Sequence, residues 1–142
     1  MGQDGLGRFV QAQDEGGTYA TALAELRRGR KVSHWMWFVF PQLAGLGRSS
    51  TARYFAIGSL AEAEAYLAHP VLGLRLLEAS QVVAGLEGVT AQDVFGGVDA
   101  LKLRSSMTLF ARAAPQEPVF AAVLERYFGG RADAATEALL AG

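Results

Sequence analysis

Apolar residues recur three and four positions apart along most of this chain, the spacing of helices that bury one face. The pattern predicts seven or eight short helices in one compact all-α domain, residues 1–142, without a linker or an internal repeat. We expect the first helix to end before Asp14. Later helices are predicted to open at Thr18, at Ser59 with Glu62, at Pro70, at Thr90 with Asp93, at Asp99, at Pro118 and after Asp133.

The stretch "SHWMWFVFPQ", residues 33–42, does not follow this pattern. Every position from 35 to 40 is apolar, so neither a helical nor a strand period can be recognised. A lone strand would leave its backbone groups without partners. We therefore predict a short buried helix or turn that starts at Ser33 and breaks before Pro41.

Composition removes several classes of function. Thirteen basic and 14 acidic residues give a net charge of −1, which argues against nonspecific nucleic-acid binding. The chain has no cysteine for disulfides, thiol catalysis or zinc, and two histidines 35 residues apart predict no metal site. No apolar run reaches bilayer length, and the first residues lack a secretion signal. We expect a cytoplasmic protein without membrane contact or cofactor, of undetermined oligomeric state.

Several longer segments resemble a known family. They are "RFVQAQ", "ALAELRRGRKVSHWMWFVFPQLAGLGRS", "AYLAHPVLG", "DVFGGVDALKLRSSMTLFARAAP" and "VLERYFGG". Together they are similar to the domain of unknown function 1810, some members of which carry the label calpastatin. The resemblance implies a small, mostly helical domain and supplies no catalytic residues.

The segment "QLAGLGRSSTARY" is a candidate anion site. Gly45 and Gly47 allow a tight turn, and Ser49 or Ser50 is predicted to cap a following helix whose free amides favour an anion. Arg48 and Arg53 flank the turn. It matches neither the Walker nor the dinucleotide-binding glycine pattern, so an ordinary loop between helices is the alternative.

A second constellation lies inside the long helix predicted after Asp99. Lys102 and Ser106 share one helical face, and Ser105 and Thr108 share the next. The hydroxyls either bond back to the helix backbone or contact a ligand. Lys102 favours a ligand, because burying its charge without an anion is costly.

His34 stands beside Trp35 and Trp37, whose bulk would desolvate the imidazole and favour its neutral form as a general base. The alternative is a histidine that is merely hydrogen-bonded in the core. His69, just before Pro70, is predicted to be a structural cap.

These features combine into one hypothesis: a pocket between residues 33–54 and the 102–108 face that binds a small anionic, nucleotide-like molecule. Arg48, Arg53 and the turn amides would hold the anion, and Lys102 would neutralise charge. His34 and Lys102 are the candidate catalytic residues, and hydrolysis is left open. The other predicted ligand contacts are Trp35, Trp37, Gln42, Gly45, Gly47, Ser49, Tyr54, Ser105, Ser106 and Thr108. The alternative is a module that binds a protein or peptide through an aromatic groove.

Overall fold

The computed structural model describes residues 4–142, and over that range the protein is all-α, as predicted. Nine helical segments follow one another, and a 3₁₀ turn, Glu15–Gly17, separates the first two. The segments are α1 (Asp4–Asp14), α2 (Thr18–Arg27), α3 (Met36–Val39), α4 (Ser50–Tyr54), α5 (Leu60–Ala68), α6 (Leu72–Gly85), α7 (Ala91–Ala113), α8 (Pro118–Phe128) and α9 (Ala134–Ala141).

Helix α7 is the centre of the fold and packs against α5, α8 and α9. Its buried side chains include Leu103, Met107 and Phe110, each fully enclosed. Helices α2 and α6 pack together beside this group, and α1 contacts both α2 and α3. One continuous cluster of buried side chains, from Leu6 in α1 to Leu124 in α8, joins these helices.

Most predicted caps are confirmed. The hydroxyl of Ser59 accepts from the Glu62 amide, and Thr90 forms a complete capping box with Asp93. His69 is a structural cap, since its Nδ1 accepts the amide protons of Val71 and Leu72.

Two predicted starts and two predicted caps are wrong. Asp99 does not cap a helix but lies inside α7, which begins after its Thr90 cap. Helix α6 begins at Leu72 rather than Pro70, after a turn in which the His69 ring accepts from the Val71 and Leu72 amides. The N-cap of α2 is Gly17, while the Thr18 hydroxyl instead donates to the Glu15 carbonyl. In the aromatic stretch the helix is a single turn that begins at Met36, not at Ser33.

The segment after this turn is held by backbone pairing. The Ile57 amide donates to the Gln42 carbonyl at 2.8 Å, and the Ala44 amide donates to the Ile57 carbonyl at 2.7 Å. This isolated bridge between Leu43 and Ile57 closes the loop that carries α4. The glycine turn and α4 are thereby fixed at one edge of the core.

Candidate functional site

A buried carboxylate organises the turn between α2 and α3. Glu25, in the last part of α2, is 3% exposed. Its Oε1 accepts from the amides of Val32 and Ser33 and from the indole Nε1 of Trp35, each at 2.8 to 2.9 Å. Its Oε2 accepts from the Ser33 hydroxyl at 2.6 Å. Burial acts to raise the pKa of Glu25, but these donors outweigh it and lower the pKa to about 2.

Two lysines share one aspartate next to this turn. The Lys31 Nζ lies 2.9 Å from Oδ2 of Asp99, and the Lys102 Nζ lies 3.5 Å from Oδ1 of the same carboxylate. Lys31 also donates to the Ser33 carbonyl at 2.6 Å, and its side chain is only 8% exposed. The Lys102 side chain is 23% exposed. Asp99 is therefore the carboxylate that compensates the charge of Lys102.

The two predicted segments meet at Trp37. The Lys102 Nζ lies 5.0 Å from the centre of the Trp37 ring, within the range of a cation–π contact. The Lys31 Nζ stands in the same relation to the Trp35 ring, also at 5.0 Å. Residues far apart in the sequence, on α3 and α7, thus form one polar and aromatic cluster, defined here as Lys31, Trp37, Asp99 and Lys102.

Trp35 belongs to the core and not to a ligand surface. Its side chain is 0% exposed, and its indole N–H is used by Glu25. Met36, Val39 and Phe40 are buried with it, whereas Trp37 and Phe38 stay partly exposed. Of the two tryptophans predicted as ligand contacts, Trp37 is therefore the accessible one.

The hydroxyls of α7 lie inside the molecule. Ser105 donates to the Leu101 carbonyl, and Thr108 donates to the Arg104 carbonyl while accepting from the Asp133 amide. Ser106 is fully buried, and its hydroxyl has no partner among the described residues. Of the two alternatives predicted for these hydroxyls, Ser105 and Thr108 therefore show the first: each donates to a carbonyl of its own helix.

His34 and Gln42 are accessible. The His34 ring is exposed, and no hydrogen bond joins it to another residue in the described part of the chain. Gln42 is partly exposed, and its backbone carbonyl accepts from Ile57. His34 is therefore not buried among the tryptophans, although such burial was expected.

The glycine turn forms with the expected local geometry. Gly45 has φ +103°, a backbone conformation that residues other than glycine rarely adopt. Gly47 is needed for close approach, since a Cβ there would lie 2.5 Å from the Ala52 Cβ. Ser49 caps α4 as predicted, its hydroxyl accepting from Ala52. Arg48, Arg53 and Tyr54 are exposed, and α4 has only five residues.

Sequence reasoning missed residues that act through tertiary contacts. Arg8, on α1, donates to the carbonyls of Tyr54 and Ala56 at 2.6 and 2.7 Å and so fastens the end of α4. Lys31 was not singled out from the sequence, and Asp99 was predicted only to open a helix. An acidic residue on the apolar face of α2, Glu25, was the available signal for a buried polar centre.

Four of the clefts that residues 4–142 form can be compared with this cluster, and His34, Trp37 and Lys102 line none of these four. One of about 300 Å³ lies between α9 and the bridge of Leu43 with Ile57, next to the glycine turn. Another of about 350 Å³ lies between α7 and α8. The cluster of Lys31, Trp37, Asp99 and Lys102 is therefore a surface feature rather than the wall of one of these clefts.

Within residues 4–142, no helix is long and apolar enough to cross a bilayer. No curated protein matches the chain. The crystal structure of the conserved hypothetical protein Rv1873 from Mycobacterium tuberculosis is similar to it, with 52% sequence identity, a TM-score of 0.94 and 96% of each chain covered. A family model described as "Protein of unknown function (DUF1810)" matches residues 3–140. The chain therefore belongs to the DUF1810 family, as its sequence motifs indicated.

Proposed function

We propose that the surface formed by Trp37 and Lys102 binds a small anionic molecule that carries a flat ring, such as a nucleotide. The observation that carries this proposal is that Asp99 lies closer to Lys31 than to Lys102. The carboxylate lies 2.9 Å from the Lys31 ammonium but 3.5 Å from that of Lys102. Lys102 is thus the more weakly paired and the more exposed of the two cations.

An ammonium has three N–H donors, so Lys102 keeps donors for a phosphate or carboxylate oxygen. Asp99 is the carboxylate that lies within 4.0 Å of Lys102 in the described part of the chain. Glu25 is ionised, but its oxygens are engaged by donors of residues 33–35 and it forms no ion pair with Lys102 there. The partly exposed Trp37 indole supplies apolar contact for the ring of the ligand.

His34 and Gln42 are the groups we propose to orient the ligand, since both are accessible. Hydrolysis of a glycosidic or phosphoester bond would rely on His34 for proton transfer. The arginines of the glycine turn, Arg48 and Arg53, are assigned a secondary role in attracting the anion.

The test is a titration of the protein with ADP and with pyrophosphate, followed by tryptophan fluorescence excited at its red edge. We expect saturable quenching by ADP, and binding at least tenfold weaker in Lys102→Gln, which loses a charge-assisted bond. Arg28→Gln, an exposed cation at the end of α2, is the matched control and should bind as the wild type does.

Quenching by ADP that is equal in Lys102→Gln and wild type would contradict the proposal, as would its absence at millimolar ADP. Pyrophosphate separates the contribution of Lys102 to binding from that of Trp37, because it presents the anion without the ring. A Trp37→Leu variant lacks the responding indole and is therefore titrated by calorimetry, where it should weaken ADP far more than pyrophosphate if the indole contacts the base.

A further inference from the structure

The cleft between α7 and α8 has a mixed lining. Its volume is about 350 Å³, which is at the lower end for small-molecule sites. Leu101, Tyr127 and Phe128 supply apolar surface, and Thr90 and Gln92 supply a hydroxyl and an amide at the start of α7. Leu101 is 63% exposed, so this wall has no cover within the described chain.

Two arginines flank the aromatic wall. The Arg126 guanidinium lies 4.7 Å from the centre of the Tyr127 ring and donates to the Leu86 carbonyl. The Arg104 guanidinium lies 5.9 Å from the centre of the Phe128 ring and donates to two carbonyls beyond α8. Each arginine thus contacts a ring that lines the cleft, although neither arginine is itself a lining residue.

Both arginines keep unused capacity for an anion. Neither lies within 4.0 Å of a carboxylate in the described part of the chain, although six other ion pairs form there. A guanidinium has five N–H donors, and the hydrogen bonds to carbonyls use one in Arg126 and two in Arg104. The neighbouring Asp93 carboxylate is already occupied by the Thr90 amide.

We infer that this cleft binds a small carboxylate with an apolar body. The body would cover Leu101 and Phe128, and the carboxylate would take the free donors of Arg104 or Arg126. Two observations carry this inference: the cleft has an uncovered aliphatic wall, and two guanidinium groups contact its aromatic residues, all separate from the Trp37 and Lys102 surface.

Phenylacetate is the probe, and amide chemical shifts of the protein are the measurement. We expect shifts at the Gln92 side chain, Gly97 and Leu101. Phenylacetamide, which lacks the charge, should bind at least tenfold more weakly. The double variant Arg104→Gln with Arg126→Gln should weaken phenylacetate by a similar factor, while Lys102→Gln should leave it unchanged.

A blocking variant makes the test independent of charge. A Cβ on Gly97, which lines the cleft, would meet no atom closer than the Gln92 Nε2 at 4.0 Å, so Gly97→Leu fills the cleft without a clash of its Cβ. Gly85→Leu is the matched control, since a Cβ there meets nothing within 4 Å. Gly97→Leu should abolish the phenylacetate shifts, and Gly85→Leu should keep them.

Equal binding of phenylacetate and phenylacetamide would overturn the inference. It would also be overturned by shifts that persist in Gly97→Leu, or by an absence of shifts at millimolar phenylacetate. These results are independent of the ADP titration, which reports on Trp37.

Discussion

At the scale of single residues, one carboxylate explains why the segment after α2 folds into an ordered turn. Glu25 receives bonds from two backbone amides, a hydroxyl and an indole, all from residues 32–35. A buried carboxylate is costly unless its oxygens are occupied, and here both are. The turn, the orientation of Trp35 and therefore the start of α3 depend on the charge of Glu25.

This dependence predicts a specific response to acid. Because the folded state holds the pKa of Glu25 at about 2 against an ordinary 4.5, ionised Glu25 stabilises the fold above pH 4.5. That contribution is lost as pH falls toward 2. Glu25→Gln should lower the free energy of unfolding by about 3 kcal/mol at pH 7, a difference that disappears near pH 2.

Urea unfolding of both proteins at pH 7 and at pH 3 measures this effect. Glutamine has the shape of glutamate and can still accept from Trp35, so the comparison isolates the charge. Parallel pH profiles for the two proteins would show that Glu25 is not the titrating group.

At the scale of elements, the regular backbone of α7 is interrupted at Gly96. Gly96 has φ +80° and ψ +168°, a conformation essentially restricted to glycine, between the capped first turn and the long helix that follows. The sequence has glycine at both positions 96 and 97, the residue type that such a break requires. The break lets the capped start and the longer part of α7 take different directions while the chain continues without a loop.

Gly96→Ala should therefore lower the free energy of unfolding by about 2 kcal/mol, since alanine is strained in this conformation. Gly97→Ala is the matched control: Gly97 has no positive φ and open space around its Cβ position, so a near-neutral effect is expected. Thermal unfolding of the two variants gives the comparison. Equal stabilities would mean that the chain relaxes away from the strained backbone at little cost.

Elements set by local chemistry were the predictable part of this molecule. The caps at Ser59, Thr90 and Asp133 depend on residues three positions apart, which a sequence displays directly. The start of α6 was wrong by two residues, since the chain makes a turn at Pro70 and Val71 before the helix. The turn at 31–35 depends on Glu25, six or more residues away. Periodicity places this acidic residue on the apolar face of α2 but does not show which groups it pairs with.

In the candidate site, too, features set by neighbouring residues could be predicted, and those set by distant contacts could not. Lys102 was recognised because a charge on an otherwise apolar helix needs an explanation, and Asp99 supplies one. That Trp37 rather than Trp35 would be accessible could not be predicted, since the stretch lacks a readable period. Arg8 escaped notice for a related reason: its carbonyl acceptors, on Tyr54 and Ala56, lie more than 40 positions away.

At the scale of the whole molecule, a single cluster of buried side chains connects α1 to α8. Trp35, fully enclosed in this cluster, contacts Phe40, and Phe40 in turn contacts Phe95 near the break in α7. Because Trp35, whose fluorescence can be followed, shares one core with the main helices, neither should unfold without the other.

We therefore expect the protein to unfold in one cooperative step, with tryptophan fluorescence and far-ultraviolet circular dichroism giving the same midpoint in urea. Trp37→Phe makes the fluorescence report on Trp35 alone and is the form to measure. A fluorescence transition well before the loss of helix would place residues 31–43 in a separate, weaker unit. Coincident transitions would instead show that the Glu25 turn and the core of α7 are stabilised together, so a ligand that binds at Trp37 and Lys102 would stabilise the entire fold.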